Sequence, residues 1–145
     1  MKFRLIIDKD KEEEVFATVH RRYPVIDKIE ALITGAENDS IAAYLEDEIR
    51  ILALSEVDCI TVIGGKTFAV GKDGRKYLLK RRLYEIEESL PPEFIRINKS
   101  SLANRNRILR FKTTISGGVD AEFKCGYTEY VSRRCFAELK RRFGL

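Results

Sequence analysis

Phe94-Ile95-Arg96-Ile97-Asn98-Lys99-Ser100-Ser101-Leu102-Ala103-Asn104 is the stretch on which the fold turns. Residues 94–98 read as a short strand. It delivers the polar and cationic side chains Asn98, Lys99, Ser100 and Asn104, with no carboxylate among them, to a following loop. A second stretch, Tyr130-Val131-Ser132-Arg133-Arg134, runs straight into a C-terminal amphipathic helix. Ser132 can cap that helix, which places two arginines in its first turn. Cys135 or Phe136, Leu139 and Phe143 then form the apolar stripe, and Gly144 supplies the stop.

Outward from these two stretches the chain is a series of short strands separated by turn signals. Strands are predicted at 41–45, 49–53, 57–62, 66–70 and 75–80, with Gly64-Gly65 and Asp73-Gly74 providing the positive φ angles of tight hairpins. Leu83, Ile86 and Leu90 mark a short helix that Pro91-Pro92 ends. Beyond residue 98 come the polar loop, a strand near 107–115, a Gly117-Gly118 turn, a strand at 119–125 and another near 128–131. Many short strands with few helices predict a mainly β core.

The N-terminal part reads differently. Phe3, Leu5 and Ile7 alternate with mostly polar neighbours over residues 2–7, and Val15, Ala17 and Val19 share a face over 14–20, so two half-buried strands are expected. Pro24 opens a helix carrying Ile26, Ile29, Leu32 and Ile33, with Gly35 as its stop; Asn38, Asp39 and Ser40 read as a linker. Residues 1–36 are thus expected to form a strand-strand-helix segment ahead of a domain spanning 41–145. The segment is too small to be stable alone and carries more apolar surface than it can bury internally.

The 145 residues suffice for one domain, and 44% hydrophobic with 34% charged side chains is ordinary for a chain that folds. No apolar run approaches a membrane span, and Asp8 interrupts the N-terminal apolar run too soon for a signal-peptide core, so a cytoplasmic location is expected. The net charge of +4 conceals a division. Residues 1–53 hold 8 basic and 12 acidic side chains, whereas residues 54–145 hold 19 and 11. Within the latter, residues 91–145 carry 12 basic and 5 acidic side chains, the pattern of a basic binding module with an acidic appendage.

Catalytic chemistry has little material. His20 is the only histidine and lies beside Arg21 and Arg22 on an expected surface strand, with no cysteine or serine partner nearby in sequence. Cys59, Cys125 and Cys135 form no C-x-x-C pair and read as small buried hydrophobes. No phosphate-binding G-x-x-x-x-G-K-[ST] is present. The sequence therefore points away from an enzyme, and from any cofactor, metal or small-molecule substrate. A polyanion is better served. Lys66 follows Gly64-Gly65 on a loop, Lys99, Ser100 and Asn104 cluster on a second, and Arg133 and Arg134 stand at a helix start already favourable for phosphate. Two other readings use the same residues: a protein-interaction module whose basic loops bind an acidic partner, and an RNA-binding β domain. The latter lacks aromatic platforms, since only Tyr127 and Tyr130 stand near the basic loops.

In this order, the two stretches resemble the LytTR family of bacterial DNA-binding domains. The resemblance runs over about residues 41–145. It takes in strand 57–62, the Gly64-Gly65-Lys66 loop, residues 75–82 and helix 83–90 with Pro91. It continues through Phe94, Arg96, Asn98, Lys99, Ser100 and Asn104 to Val131-Ser132-Arg133-Arg134 and Glu138-Leu139-Lys140. Two positions depart from the pattern, with Asn98 where the family usually has histidine and Ser101 where it usually has an aromatic residue. The resemblance implies a stand-alone transcription regulator, without a phospho-receiver domain, whose β scaffold inserts loops into successive grooves of double-stranded DNA. By position it assigns base contacts to Lys66 (or Thr67), Lys99 and Arg134. Asn98, Ser100, Asn104 and Arg133 would position the backbone or the loop. It further implies a small membrane-protein regulator as a partner. Half-site spacing on DNA would let two copies act as a homodimer.

Overall fold

The computed structural model describes residues 2–34 and 39–145. The expected helix stop at Gly35 and the linker residue Asn38 lie outside the described residues. What is described is mainly β, as expected: ten strands in two antiparallel sheets, with three α-helices.

Helix α1 (Pro24–Thr34) precedes the sheets. β1 (Ser40–Leu45) and β2 (Glu48–Ala53) form a hairpin, followed by the Gly64-Gly65 hairpin of β3 (Val57–Ile63) and β4 (Lys66–Gly71). Both glycines adopt the left-handed conformation, at φ 58° and 77°, which costs glycine no Cβ clash. β5 (Lys76–Leu79) leads to α2 (Leu83–Ser89), and β6 (Phe94–Asn98) pairs with β7 (Ser101–Asn104). These seven strands lie in the order β2-β1-β5-β4-β3-β7-β6. β8 (Ile108–Thr113), β9 (Val119–Phe123) and β10 (Thr128–Val131) form a second sheet, and α3 (Arg133–Phe143) closes the chain.

The centre of the large sheet is buried on both faces. On one, Val57, Ile60, Ala69, Tyr77, Leu79 and Leu102 pack with Leu83, Ile86 and Leu90 from α2 and its end. On the other, Cys59, Val70, Ile95, Ile97 and Ala103 meet Ala121, Phe123 and Val131 of the small sheet and Leu139 of α3. Cys59 is fully buried, as a small hydrophobe would be, and burial pushes its thiol pKa well above the ordinary value. Leu139 is the buried anchor of α3; burying such a side chain contributes roughly 1.5–3 kcal/mol. It fixes the helix whose first turn carries the two arginines.

The fold differs from expectation in two places. Residues 2–7 and 14–20 form no strands: all but half-buried Val19 are exposed, Phe3 at 90% and Phe16 at 83%, and of the expected strand-strand-helix segment only the helix is present among the described residues. Alternation gives a segment one apolar face, but a strand also needs a neighbouring edge to pair its N–H and C=O groups. None of the described strands pairs with these residues. The second difference is β7. Ser101–Asn104 is a fully buried strand where a polar loop was expected. Ser101 and Asn104 can sit inside because their polar atoms are bonded there, Ser101 Oγ to Thr61 Oγ1 and Asn104 Nδ2 to the carbonyls of Leu54 and Val57.

Candidate nucleic-acid interface

Register alone gathers the basic positions at one end of the molecule. β3 and β7 run antiparallel with Thr61 opposite Ser101, and Val62 N donates to Ser100 O at 2.9 Å. The β3–β4 turn, which Lys66 follows as the first residue of β4, and the β6–β7 turn bearing Lys99 therefore leave the same end of the large sheet. The start of α3 joins them, because Ser132 N donates at 2.9 Å to the carbonyl of Ile97, the penultimate residue of β6. Lys99 and Arg134 line one depression of about 790 Å³, with Arg96, Tyr130 and Arg142 also on its wall.

Lys66, Lys99, Arg133 and Arg134 are all exposed, and none has an ion-pair partner among the described residues. Ser132 caps α3 as expected: its Oγ accepts Cys135 N at 3.2 Å. The N–H groups of Arg133 and Arg134 remain without intrahelical acceptors, so cationic side chains and backbone donors converge where an anion would lie.

Other expected site residues have different places. Thr67 is 6% exposed and points into the sheet, since the strand's alternation turns it inward beside outward Lys66. Asn104 is 3% exposed, and its Oδ1 accepts Asn106 N at 3.1 Å; with its two carbonyl bonds it braces β7 against the 3₁₀ turn Leu54–Glu56 and the start of β3. Both residues are buried. Asn98 is 1% exposed and holds the β6–β7 turn from within: Oδ1 accepts Ser100 N at 2.8 Å, and Nδ2 donates to Tyr130 O at 2.8 Å. Ser100 is half-buried within that turn.

The turn has two further supports. Arg96 donates from one guanidinium nitrogen to Lys99 O at 2.8 Å and from the other to Glu87 of α2, fixing the backbone beneath the lysine. Glu129, on β10, offers its half-buried carboxylate to Tyr127 OH at 2.8 Å, Thr61 Oγ1 at 3.3 Å and Asn98 Nδ2 at 3.4 Å. Burial first, and the bond to Glu129 second, push the Tyr127 phenol well above its ordinary range. Sequence reading gave Glu129 no role. Thr61 and Asn98 lie 68 and 31 positions away from it, so no local pattern could join them.

The chain's similarities agree with this geometry. Residues 47–144 match the model of the LytTr DNA-binding domain family. Two proteins of Staphylococcus aureus, from strains MSSA476 and MW2, are each 32% identical over 150 residues. The alignments span 100% of this chain and 99% of each relative, and both relatives bear the name uncharacterized HTH-type transcriptional regulator. A solved LytTr DNA-binding domain from Bacillus cereus superposes with a TM-score of 0.67 at 20% identity, over 74% of this chain and 99% of that one. That likeness is one of fold. Among the described residues no two helices are consecutive, so the helix-turn-helix in the relatives' names has no counterpart here.

Proposed function

Since the chain belongs to the LytTr DNA-binding domain family, we propose that it is a DNA-binding transcriptional regulator, not an enzyme, that reads duplex DNA with the loop-bearing end of its β scaffold. One observation carries this reading: Lys66 at the start of β4, Lys99 on the β6–β7 turn and the Arg133-Arg134 pair at the start of α3 stand exposed at one end, with no ion-pair partner among the described residues. In the proposed mechanism these three projections enter successive grooves. Lys66, Lys99 and Arg134 approach base edges, while Arg133 and the N–H groups of α3 hold phosphate. Asn98, Ser100 and Asn104 shape the scaffold that presents them, and Thr67 belongs to that scaffold too. A helix-borne arginine loses little freedom when it forks onto guanine, whereas a lysine on a glycine-rich turn acts as a freer point charge. This favours Arg134 as the strongest reader of sequence.

Residues 1–36 are proposed to serve association with a second copy, giving a homodimer suited to paired half-sites; a small membrane-protein regulator is the other partner the resemblance implies. Exposed Phe3, Leu5, Ile7, Val15 and Phe16 support this role. Action in the cytoplasm follows from the proposed DNA target, and among the described residues no helix is long and apolar enough to cross a membrane.

The test is a titration of the full chain with duplex DNA at several salt concentrations. Neutralising phosphates releases counterions, so log affinity is expected to fall linearly with log salt, with a slope near −0.9 per phosphate contacted. Affinity indifferent to salt would sink the reading. Tight binding to an acidic polypeptide with none to duplex would favour the interaction module.

A further inference from the structure

We infer that Glu129 is a positioning residue for DNA reading, its carboxylate clamping the Lys99 turn to the strand that launches the Arg134 helix. The inference rests on the duplex-binding role of this end of the molecule. A carboxylate is an odd occupant there: it repels phosphate, and among the described residues no lysine or arginine neutralises it. Its partners are neutral donors from the β3, β6 and β10 side of the sheet interface, and all of them point at it. Thr61 has one hydroxyl proton; since it donates to Glu129, the 2.7 Å contact with Ser101 must be donated by Ser101. Asn98 has two amide protons and divides them between Tyr130 O and Glu129. Tyr127 supplies the third donor.

The consequence is a single acceptor shared by two reading elements. Asn98 fixes Ser100 N and hence the turn carrying Lys99, while Glu129 and Tyr130 belong to β10, three and two residues before Ser132, the cap of α3. With the clamp in place, Lys99 and Arg134 keep one spacing before DNA arrives, so the ordering cost is not met on binding. The carboxylate gives up some general attraction to phosphate in exchange for a fixed relation between two base-reading side chains.

Two variants separate charge from position. Glu129→Gln removes the charge but can still accept from Asn98 through Oε1, while its amide donates to the hydroxyls, which rotate to accept. Glu129→Ala removes charge and acceptors together. Affinity is measured for a duplex enriched by the wild-type full chain from a randomised pool, and for an unselected duplex of equal length. Both variants are expected to bind the unselected duplex more tightly than wild type. On the selected duplex Glu129→Gln keeps or gains affinity, whereas Glu129→Ala loses on the order of tenfold, the scale of hydrogen bonds to a charged acceptor. Identical behaviour of the two variants would reduce Glu129 to a charge, and equal losses on both duplexes with a lowered melting temperature would reduce it to scaffold; either overturns the inference. Hydrogen exchange in the free protein decides the matter without DNA. Ser100 N–H and the Asn98 amide are expected to be protected in wild type and Glu129→Gln and to exchange faster in Glu129→Ala, and unchanged protection overturns the clamp. A wild-type chain that enriches no duplex defeats the proposed function alone, because the exchange result still stands.

Discussion

Arg134 and Asn104 both fall on family motif positions, yet the fold gives them opposite surroundings. Arg134 is exposed at a helix start; Asn104 is sealed between β7 and the carbonyls of Leu54 and Val57. Replacing Arg134 with alanine is expected to cost roughly 1–3 kcal/mol on a selected duplex and far less on an unselected one. Asn104→Ala instead takes a donor from the Val57 and Leu54 carbonyls, the latter keeping the Val57 N–H, and the acceptor from Asn106 N, at about 1–3 kcal/mol of folding stability, with no change in preference between duplexes. Competition binding beside urea denaturation distinguishes the two, and an Arg134→Ala loss equal on both duplexes would show a phosphate anchor. The exposure of Lys66, Lys99 and Arg134 was legible because a long cation beside a turn or cap has few places to go but outward. The interior roles of Thr67, Asn98 and Asn104 were not, since short polar side chains suit a turn or a satisfied interior equally well.

At the scale of elements, the joint between the two sheets rests on a buried charge. Asp58 is 0% exposed; its Oδ1 accepts Arg107 Nε at 2.7 Å and its Oδ2 accepts Cys125 N at 3.1 Å. Strand β3 is thereby tied to the 3₁₀ turn Arg105–Arg107 before β8 and to the β9–β10 turn. Asp58→Ala leaves the part-exposed Arg107 guanidinium and the Cys125 N–H without this acceptor, and a loss of roughly 1–3 kcal/mol of folding stability is expected. A denaturation midpoint indistinguishable from wild type would show that water reaches Arg107 and relieves it. The same scale explains what sequence could and could not deliver. Hairpins built on Gly64-Gly65 and Asp73-Gly74 announce themselves, as does the helix closed by Pro91-Pro92. β7 does not: four residues with two polar members carry no usable period, and the strand exists because β3 and β6 flank it. Residues 2–7 have the period but lack the flanking edges.

The whole molecule divides its labour along its charge. The acidic first third holds most of the exposed apolar side chains, Phe3, Leu5, Ile6, Ile7, Val15 and Phe16 together with Leu32 and Ile33 of α1, while the basic remainder holds the loop-bearing end. Sedimentation of the full chain against one lacking residues 1–36 should find concentration-dependent association only in the former. Both staying monomeric, with and without DNA, would remove self-association from the reading.

The margins of the large sheet add a final consequence. At β6 the outer edge is occupied, because Ile97 O takes Ser132 N and Asn98 reaches Tyr130 O. At β2 no strand among the described residues pairs with the outer edge, and Ile49 and Ile51 are exposed beside it. A sheet sealed on one flank can be extended from the other only. Two copies meeting β2 to β2 would consume both open flanks and stop, so such joining yields a closed pair and no filament. The small sheet's outer strand, β8, carries Arg110 and Lys112, cations of the kind that keep edges from recruiting strangers. The backbone bond that sets the Arg134 helix against β6 thus has a second effect: it caps that flank of the large sheet, and so leaves edge-to-edge pairing of this sheet to β2.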